Sequence, residues 1–181
     1  RCEKRGVSMS FSGQVKEELA KCMAGSKHCQ LAELLAIKTF STKNLDEEEN
    51  AKWEEFPSES ELSVRKFFTL LKKTDNIRKD IMADADLNRL CCKRAYLRGA
   101  FLCVGSISDP EKSNHLEFVC TEEDTADILI ECMAKFEIVA KTVRRKKYFV
   151  VYLKDGEEIV NLLNVMGAHV SLMEFENQRI L

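Results

Sequence analysis

The sequence contains no apolar run close to the roughly 20 residues that a membrane-spanning helix needs. Its first eleven residues are polar and lack the apolar core of a secretory signal. These two absences predict a cytoplasmic protein without a membrane partner. The chain has 181 residues, of which 45% are hydrophobic and 32% are charged. That is enough apolar sequence to bury a globular core.

A basic excess is also missing, because the formal net charge is −2. A domain that binds nucleic acid over much of its surface usually carries a clear positive charge. Any DNA contact is therefore expected to be local. The best candidate is the run Arg144, Arg145, Lys146 and Lys147, where each positive charge can neutralise one phosphate. The alternative is an ordinary solvated hairpin turn.

Motifs of common catalytic sites are absent as well: a glycine-rich phosphate loop, GxSxG and HExxH. His169 follows a predicted helix as an isolated histidine. We expect it to make structural hydrogen bonds rather than to act in catalysis. The sequence offers no other set of residues that is typical of an enzyme.

Eight cysteines are present, and several lie in apolar periodic segments. Reduced, structural thiols are expected, because free cysteine is among the most buried residue types. A zinc site is disfavoured on two grounds. Cys22 and Cys29 are too far apart for a zinc knuckle, and Cys91 and Cys92, being adjacent, are expected to point apart on a helix. His28 beside Cys29 keeps the alternative open.

Hydrophobic periodicity predicts both helices and strands. Apolar residues recur at helical spacing over 12–23, 31–40, 59–71, 86–104, 121–136 and 156–166. They alternate with polar residues, or form short apolar runs, over 116–120, 138–143 and 148–153. Ser12, Gly105 and Gly167 are expected to cap helices, and Ser58 with Glu61 forms a capping box. The order helix, hairpin, helix, hairpin, helix in the second half indicates an α+β fold rather than a doubly wound sheet.

The first half of the chain resembles the second. The helix over 34–40 corresponds to 97–103, and the helix over 59–71 corresponds to 121–133. Two such copies usually pack about a pseudo-twofold axis. Ala36 in one copy and Gly99 in the other would then allow close approach of two helices. Chance similarity between amphipathic segments is the alternative.

Residues 96–106, YLRGAFLCVGS, resemble a degenerate LAGLIDADG helix of the homing endonucleases. The longer segment CCKRAYLRGAFL at 91–102 resembles the WhiA family of Gram-positive bacteria. Further segments resemble the same family: MSFS at 9–12, GSISDPEK at 105–112, residues 136–147, and LNVMGAH at 163–169. The resemblance covers nearly all of the chain from Met9 onward and is densest from Cys91.

The resemblance implies a duplicated LAGLIDADG-like domain followed by a C-terminal helix-turn-helix domain. It also implies a nucleoid-associated transcriptional regulator of sporulation, cell division or chromosome segregation. DNA would be bound mainly through the helix-turn-helix, and another transcription factor is a candidate protein partner. The chain divides accordingly into an upstream extension or tag at 1–8, a first repeat at 9–85 and a second at 86–181, with the helix-turn-helix absent.

The first repeat departs from the family pattern. It passes almost directly from Arg78 to Asp86, where the family has a β-hairpin and a further helix. Thr42 also stands where the family prefers the motif glycine. The first repeat is therefore expected to be incomplete.

LAGLIDADG nucleases place one carboxylate at the end of each motif helix, and the pair holds a divalent metal. Alignment of the two motifs puts Ser41 and Val104 at these positions. Neither side chain offers an anionic oxygen, which predicts a non-catalytic regulatory domain with no metal and no cofactor. Two alternatives remain open: a protein-interaction or ligand-sensing scaffold without DNA affinity, and a metal-dependent nuclease.

Overall fold

The computed structural model of the chain describes residues 9–41, 59–74 and 85–180. The first half contributes α1 (Phe11–Lys21), α2 (Lys27–Phe40) and α3 (Glu59–Thr74). The second half contributes α4 (Leu90–Val104), β1 (Gly105–Ile107), β2 (Leu116–Cys120), α5 (Glu123–Ala134), β3 (Lys141–Arg145), β4 (Tyr148–Leu153), α6 (Gly156–Met166) and α7 (His169–Ile180). This mixture of helices and strands confirms the predicted α+β class. No helix in these ranges is long and apolar enough to cross a membrane.

The four described strands form one antiparallel sheet in the order β1-β2-β4-β3. Side chains alternate between its faces. Leu116, Phe118 and Cys120 of β2 are buried on the face that meets the helices, and the two residues between them are only half-buried. Every residue of β3 is exposed, as expected for an edge strand with solvent on both sides.

Helices α2 and α4 lie side by side at the centre of the molecule and run parallel. His28 and Cys92 are in contact near their N-terminal ends, and the Cys103 thiol lies 3.8 Å from the Ile37 carbonyl near their C-terminal ends. The two backbones approach each other closely at Gly99. A Cβ atom there would lie 2.8 Å from the Glu33 carbonyl oxygen and 3.0 Å from the Ala36 Cβ. Only glycine leaves room for this contact.

A buried ionic cluster ties the helices together. The Glu33 carboxylate on α2 pairs with Lys66 on α3, and it lies 3.2 Å from two guanidinium nitrogens of Arg98 on α4. Lys66 also donates to the carbonyls of Leu19 and Cys22, each at 2.6 Å. Burial lowers the pKa of Lys66, although the Glu33 charge opposes the shift. Removing one member of such a cluster destabilises the folded state, because the remaining buried charge then has no partner to offset its loss of hydration.

Several predicted boundaries were wrong. Ser10, not Ser12, caps α1 by accepting from the Gly13 N–H, while the Ser12 hydroxyl accepts from the Ile107 N–H. Helix α4 begins at Leu90 rather than near 86, and β3 covers Lys141–Arg145 rather than 138–143. Helix α7 was not predicted.

Other predictions agree with the structure or lie beyond its described part. Gly105 follows α4, and Gly167 ends α6 with a left-handed φ of 95°, where a side chain would be strained. Ser58 of the capping box, Thr42 and residues 1–8 lie outside the described residues. The division of the chain into repeats 9–85 and 86–181 stays a prediction.

Candidate functional site

The C-terminal ends of α2 and α4 open onto one cavity of about 480 Å³. Ser41 caps α2, and its N–H donates to the Ile37 carbonyl at 2.8 Å. Val104 is the last residue of α4. Both residues line the cavity, so the structure brings together the two positions that the motif alignment singled out.

The cavity lining is mostly neutral. Hydroxyl groups come from Thr39, Ser41, Thr121, Thr125 and Tyr148, and thiols come from Cys103 and Cys120. Burial raises the pKa of Cys103 to about 12 and that of Cys120 to about 11. Both thiols are therefore protonated at neutral pH and are poor nucleophiles.

Glu122 is the one carboxylate among the described residues that line this cavity. It precedes α5 as the N-cap and is exposed. Hydrolysis of a phosphodiester by metal-bound water depends on acidic ligands that clamp the ion against the scissile phosphate. A single exposed carboxylate beside Ser41 and Val104 does not form the symmetric acid pair of a LAGLIDADG nuclease.

The four residues of the basic run are adjacent in sequence but do not form one positive stripe. Arg144 and Arg145 are the last residues of β3, so they point to opposite faces of the sheet. Arg144 lies against the Phe149 ring, 5.2 Å from its centroid. Lys146 and Lys147 make the turn, and Lys146 has a left-handed φ of 57°.

Arg145 is engaged by a carboxylate. Two of its guanidinium nitrogens donate to the two Glu117 oxygens at 3.3 Å, and the His115 ring nitrogen lies 3.2 Å from the same group. Burial alone would raise the pKa of Glu117, but the bonds to His115 and Arg145 outweigh it and lower the pKa. This interaction removes much of the positive potential that Arg145 would otherwise offer to a phosphate.

A second set of cations lies on the sheet face that points away from the helices. Lys141 pairs with Tyr152 across β3 and β4, the Lys154 ammonium lies 5.5 Å from the Tyr152 ring centroid, and His115 stacks on the same ring at 6.0 Å. Lys141, Arg145, Tyr152, Lys154 and His115 together define the outer sheet patch. Sequence reasoning missed four of these five because they come from separate strands and loops. The strand register was the missing information.

The expectation that Cys91 and Cys92 point apart was wrong. Their thiols, the Cys29 thiol and a ring nitrogen of His28 all lie within 4.8 Å of one another. Cys22 lies elsewhere, 3.0 Å from the position that a Cβ at Gly167 would occupy. His169, the isolated histidine of the sequence, begins α7 and is exposed.

Comparisons with known proteins agree on one family. The family model described as the WhiA LAGLIDADG-like domain matches residues 93–181. The Probable cell division protein WhiA of Lachnoclostridium phytofermentans is 40% identical over 218 residues, which cover 96% of this chain and 70% of that protein. The protein of the same name from Clostridium botulinum is 52% identical over 90 residues, covering 50% of this chain and 29% of its own length.

Two solved structures share the fold. Full-length WhiA from Thermatoga maritima superimposes with a TM-score of 0.78 at 21% identity, over 94% of this chain and 66% of that one. The N-terminal LAGLIDADG domain of WhiA gives a TM-score of 0.70 at 21% identity, over 88% of this chain and 91% of that domain's chain. This chain therefore spans about two thirds of its full-length relatives and most of the isolated domain.

The alignment with the Lachnoclostridium protein is longer than the part of this chain that it covers. It runs over 218 positions, whereas 96% of 181 residues is about 174. Some 44 of those positions thus have no counterpart in this chain. The 90-residue alignment with the Clostridium protein covers half of the chain, 90 of 181 residues, so it needs almost no such gaps.

Proposed function

Because this chain belongs to the WhiA family, whose curated members are named as cell division proteins, we propose that it is a LAGLIDADG-like regulatory domain that contacts DNA without cleaving it. It would act within a transcriptional regulator of cell division or sporulation. Affinity and sequence specificity would come mainly from a helix-turn-helix domain of the kind that the family resemblance implies.

The observation that supports the loss of cleavage is the pair of residues at the motif-helix ends. Ser41 and Val104 face one cavity, at the place where a nuclease of this fold needs two carboxylates. A hydroxyl and an alkyl group cannot supply the hard anionic oxygens that hold Mg²⁺. The same fold can still present its sheet to a duplex, because the outer sheet patch does not depend on the helix ends.

Weak DNA contact by the domain alone follows from the charges on the sheet. Lys141 and Lys154 flank an aromatic ring on the outer sheet patch, and Lys146 and Lys147 extend from the adjacent turn. Glu117 lies among them and is held ionised. With a net charge of −2 there is no broad positive field to raise the affinity further. Dissociation constants of about 10⁻⁴ to 10⁻⁶ M are typical of such sequence-independent binding.

Fluorescence anisotropy with labelled duplex DNA at several salt concentrations tests the proposal. Replacing Arg144, Arg145, Lys146 and Lys147 with alanine should remove most of the binding. Lys141→Ala with Lys154→Ala should weaken it and reduce the slope of log K against log salt by about 0.9 for each phosphate that is no longer neutralised. The control is Lys72→Ala with Lys73→Ala. These two lysines are exposed on α3, so the control removes the same two positive charges as the Lys141 and Lys154 double variant but at a different place.

Two results would contradict the proposal. One is equal weakening by the α3 control, which would mean that only net charge matters and that the sheet is not the contact surface. The other is no binding at any salt concentration. That result would favour the alternative of a protein-interaction or ligand-sensing scaffold.

A further inference from the structure

At the opposite ends of the two central helices from Ser41 and Val104, four metal-ligating side chains converge. The His28 Nδ1 atom lies 3.3 Å from the Cys92 Sγ, 3.5 Å from the Cys29 Sγ and 3.8 Å from the Cys91 Sγ. All four ligand atoms lie within 4.8 Å of one another. The three cysteines are free thiols.

These spacings fit a tetrahedral ion. With Zn–S bonds of about 2.3 Å and Zn–N bonds of about 2.0–2.1 Å, tetrahedral angles place nitrogen about 3.6 Å from sulfur and two sulfurs about 3.8 Å apart. The three nitrogen–sulfur distances bracket the first value. The separations between sulfurs are at most 4.8 Å, so they exceed the second value by no more than about 1 Å. Cys91 is exposed, so its side chain has room to adjust.

The four ligands occupy equivalent positions on the two helices. His28 and Cys29 are the second and third residues of α2, and Cys91 and Cys92 are the second and third residues of α4. His28 is 63 residues before Cys91, and Cys29 is 63 residues before Cys92. The same number of residues separates Ser41 from Val104. A pseudo-twofold relation between the motif helices therefore brings two ligands from each helix to one point.

We propose that His28, Cys29, Cys91 and Cys92 form a structural zinc site. Three thiols and an imidazole are soft or borderline ligands that select Zn²⁺ over Mg²⁺ or Ca²⁺, and a full set of four protein ligands is typical of structural sites. Each thiol loses its proton to solvent when the ion binds, which leaves one net negative charge on the complex. The first turns of α2 and α4 point their positive dipole ends at it.

The site lies beside a small apolar cluster that is separate from the main core. A small separate cluster of Cys29, Ala32, Cys92 and Ala95 packs there, apart from the main core. Alanine and cysteine bury little apolar area, so this end of the α2–α4 pair gains little from the hydrophobic effect. A bound ion would fix the spacing and register of both helices, and with them the position of the sheet that follows α4. This role does not depend on DNA binding.

Cobalt titration of the reduced, chelator-treated chain tests the site directly, with Co²⁺ as the spectroscopic probe. We expect one equivalent to bind with the strong visible bands of tetrahedral Co²⁺ and a thiolate charge-transfer band in the near ultraviolet. Added Zn²⁺ should abolish both. A spectrum that stays that of the octahedral aqua ion would overturn the proposal, as would oxidation by air of two of the three thiols to a disulfide that Zn²⁺ does not prevent.

Variants separate ligation from simple thiol content. Cys91→Ser changes an exposed side chain, so the fold should survive, and we expect it to weaken zinc affinity by at least tenfold and to abolish the rise in melting temperature caused by Zn²⁺. His28→Ala should also weaken binding but keep the thiolate band. Cys22→Ser removes a cysteine outside the cluster and should behave like the unaltered chain. Unchanged affinity in Cys91→Ser, or equal loss in Cys22→Ser, would show that these four residues are not the ligands.

Discussion

Gly99→Ala is expected to destabilise the protein, although the same change in most helices is stabilising. Replacing an interior helical glycine with alanine ordinarily stabilises a helix by about 1 kcal/mol. Here the new Cβ would lie 2.8 Å from the Glu33 carbonyl oxygen, 3.0 Å from the Ala36 Cβ and 3.2 Å from the Glu33 Cγ. The closest neighbour is backbone, so rotation of a side chain cannot relieve the clash and the two helices must move apart.

Overpacking of this kind costs about 1–3 kcal/mol. We take the upper end of this range, because three contacts are too close at once. After the gain of about 1 kcal/mol in helix propensity is subtracted, the free energy of unfolding falls by about 2 kcal/mol. That is a change of about thirtyfold in the ratio of folded to unfolded protein. Gly99→Leu should cost more, since its larger side chain meets the same neighbours.

Urea unfolding followed by circular dichroism measures the effect. A loss of 2 kcal/mol lowers the midpoint by about 1 M for a typical slope. Gly25→Ala is the matched control, because a Cβ there meets nothing within 4 Å, and it should be neutral or slightly stabilising. If Gly99→Ala is as stable as the Gly25 control, or more stable than the unaltered chain, the close packing of α2 on α4 is wrong.

Three further predictions concern the ionic cluster, the sheet and one helix end. Glu33→Gln leaves two buried cations without their counter-charge and should cost about 3–5 kcal/mol in urea unfolding, whereas Glu17→Gln, at an exposed pair, should cost less than about 0.5 kcal/mol. Glu117 has a lowered pKa in the folded chain, so its stabilisation is present above its unfolded pKa of about 4.3 and is lost as pH falls through the folded value. Arg145→Ala should raise that pKa in an NMR titration, and an unchanged value would show that Arg145 is not its partner. Gly167→Ala should lower stability by about 1–2 kcal/mol, because it forces alanine to a φ of 95°.

Local sequence signals predicted most of the second half. Periodicity located β2, β4 and α6, and Gly167 marked the end of α6 because a left-handed residue there favours glycine. The predicted ends of helices were wrong where a tertiary contact determines them. Ser12 looks like a cap from the sequence, but its hydroxyl accepts a bond from the N–H of Ile107 instead.

The features on which the zinc and DNA proposals rest depend on long-range contacts. The spacing of Cys29 and Cys92 along the chain matches no local zinc motif, since the two residues meet only through the pairing of α2 with α4. The outer sheet patch likewise depends on strand register, which sets Lys141 opposite Tyr152. Sequence reasoning instead grouped Arg144 with Arg145, which the two-residue period of a strand sends to opposite faces.

Incubation of supercoiled plasmid with the pure chain and Mg²⁺ or Mn²⁺ tests the central claim most directly. We expect the DNA to be retarded at low salt but to stay supercoiled over long incubation, because Ser41 and Val104 provide no carboxylate pair for the metal. Sustained nicking that EDTA abolishes, and that co-purifies with the chain, would contradict it.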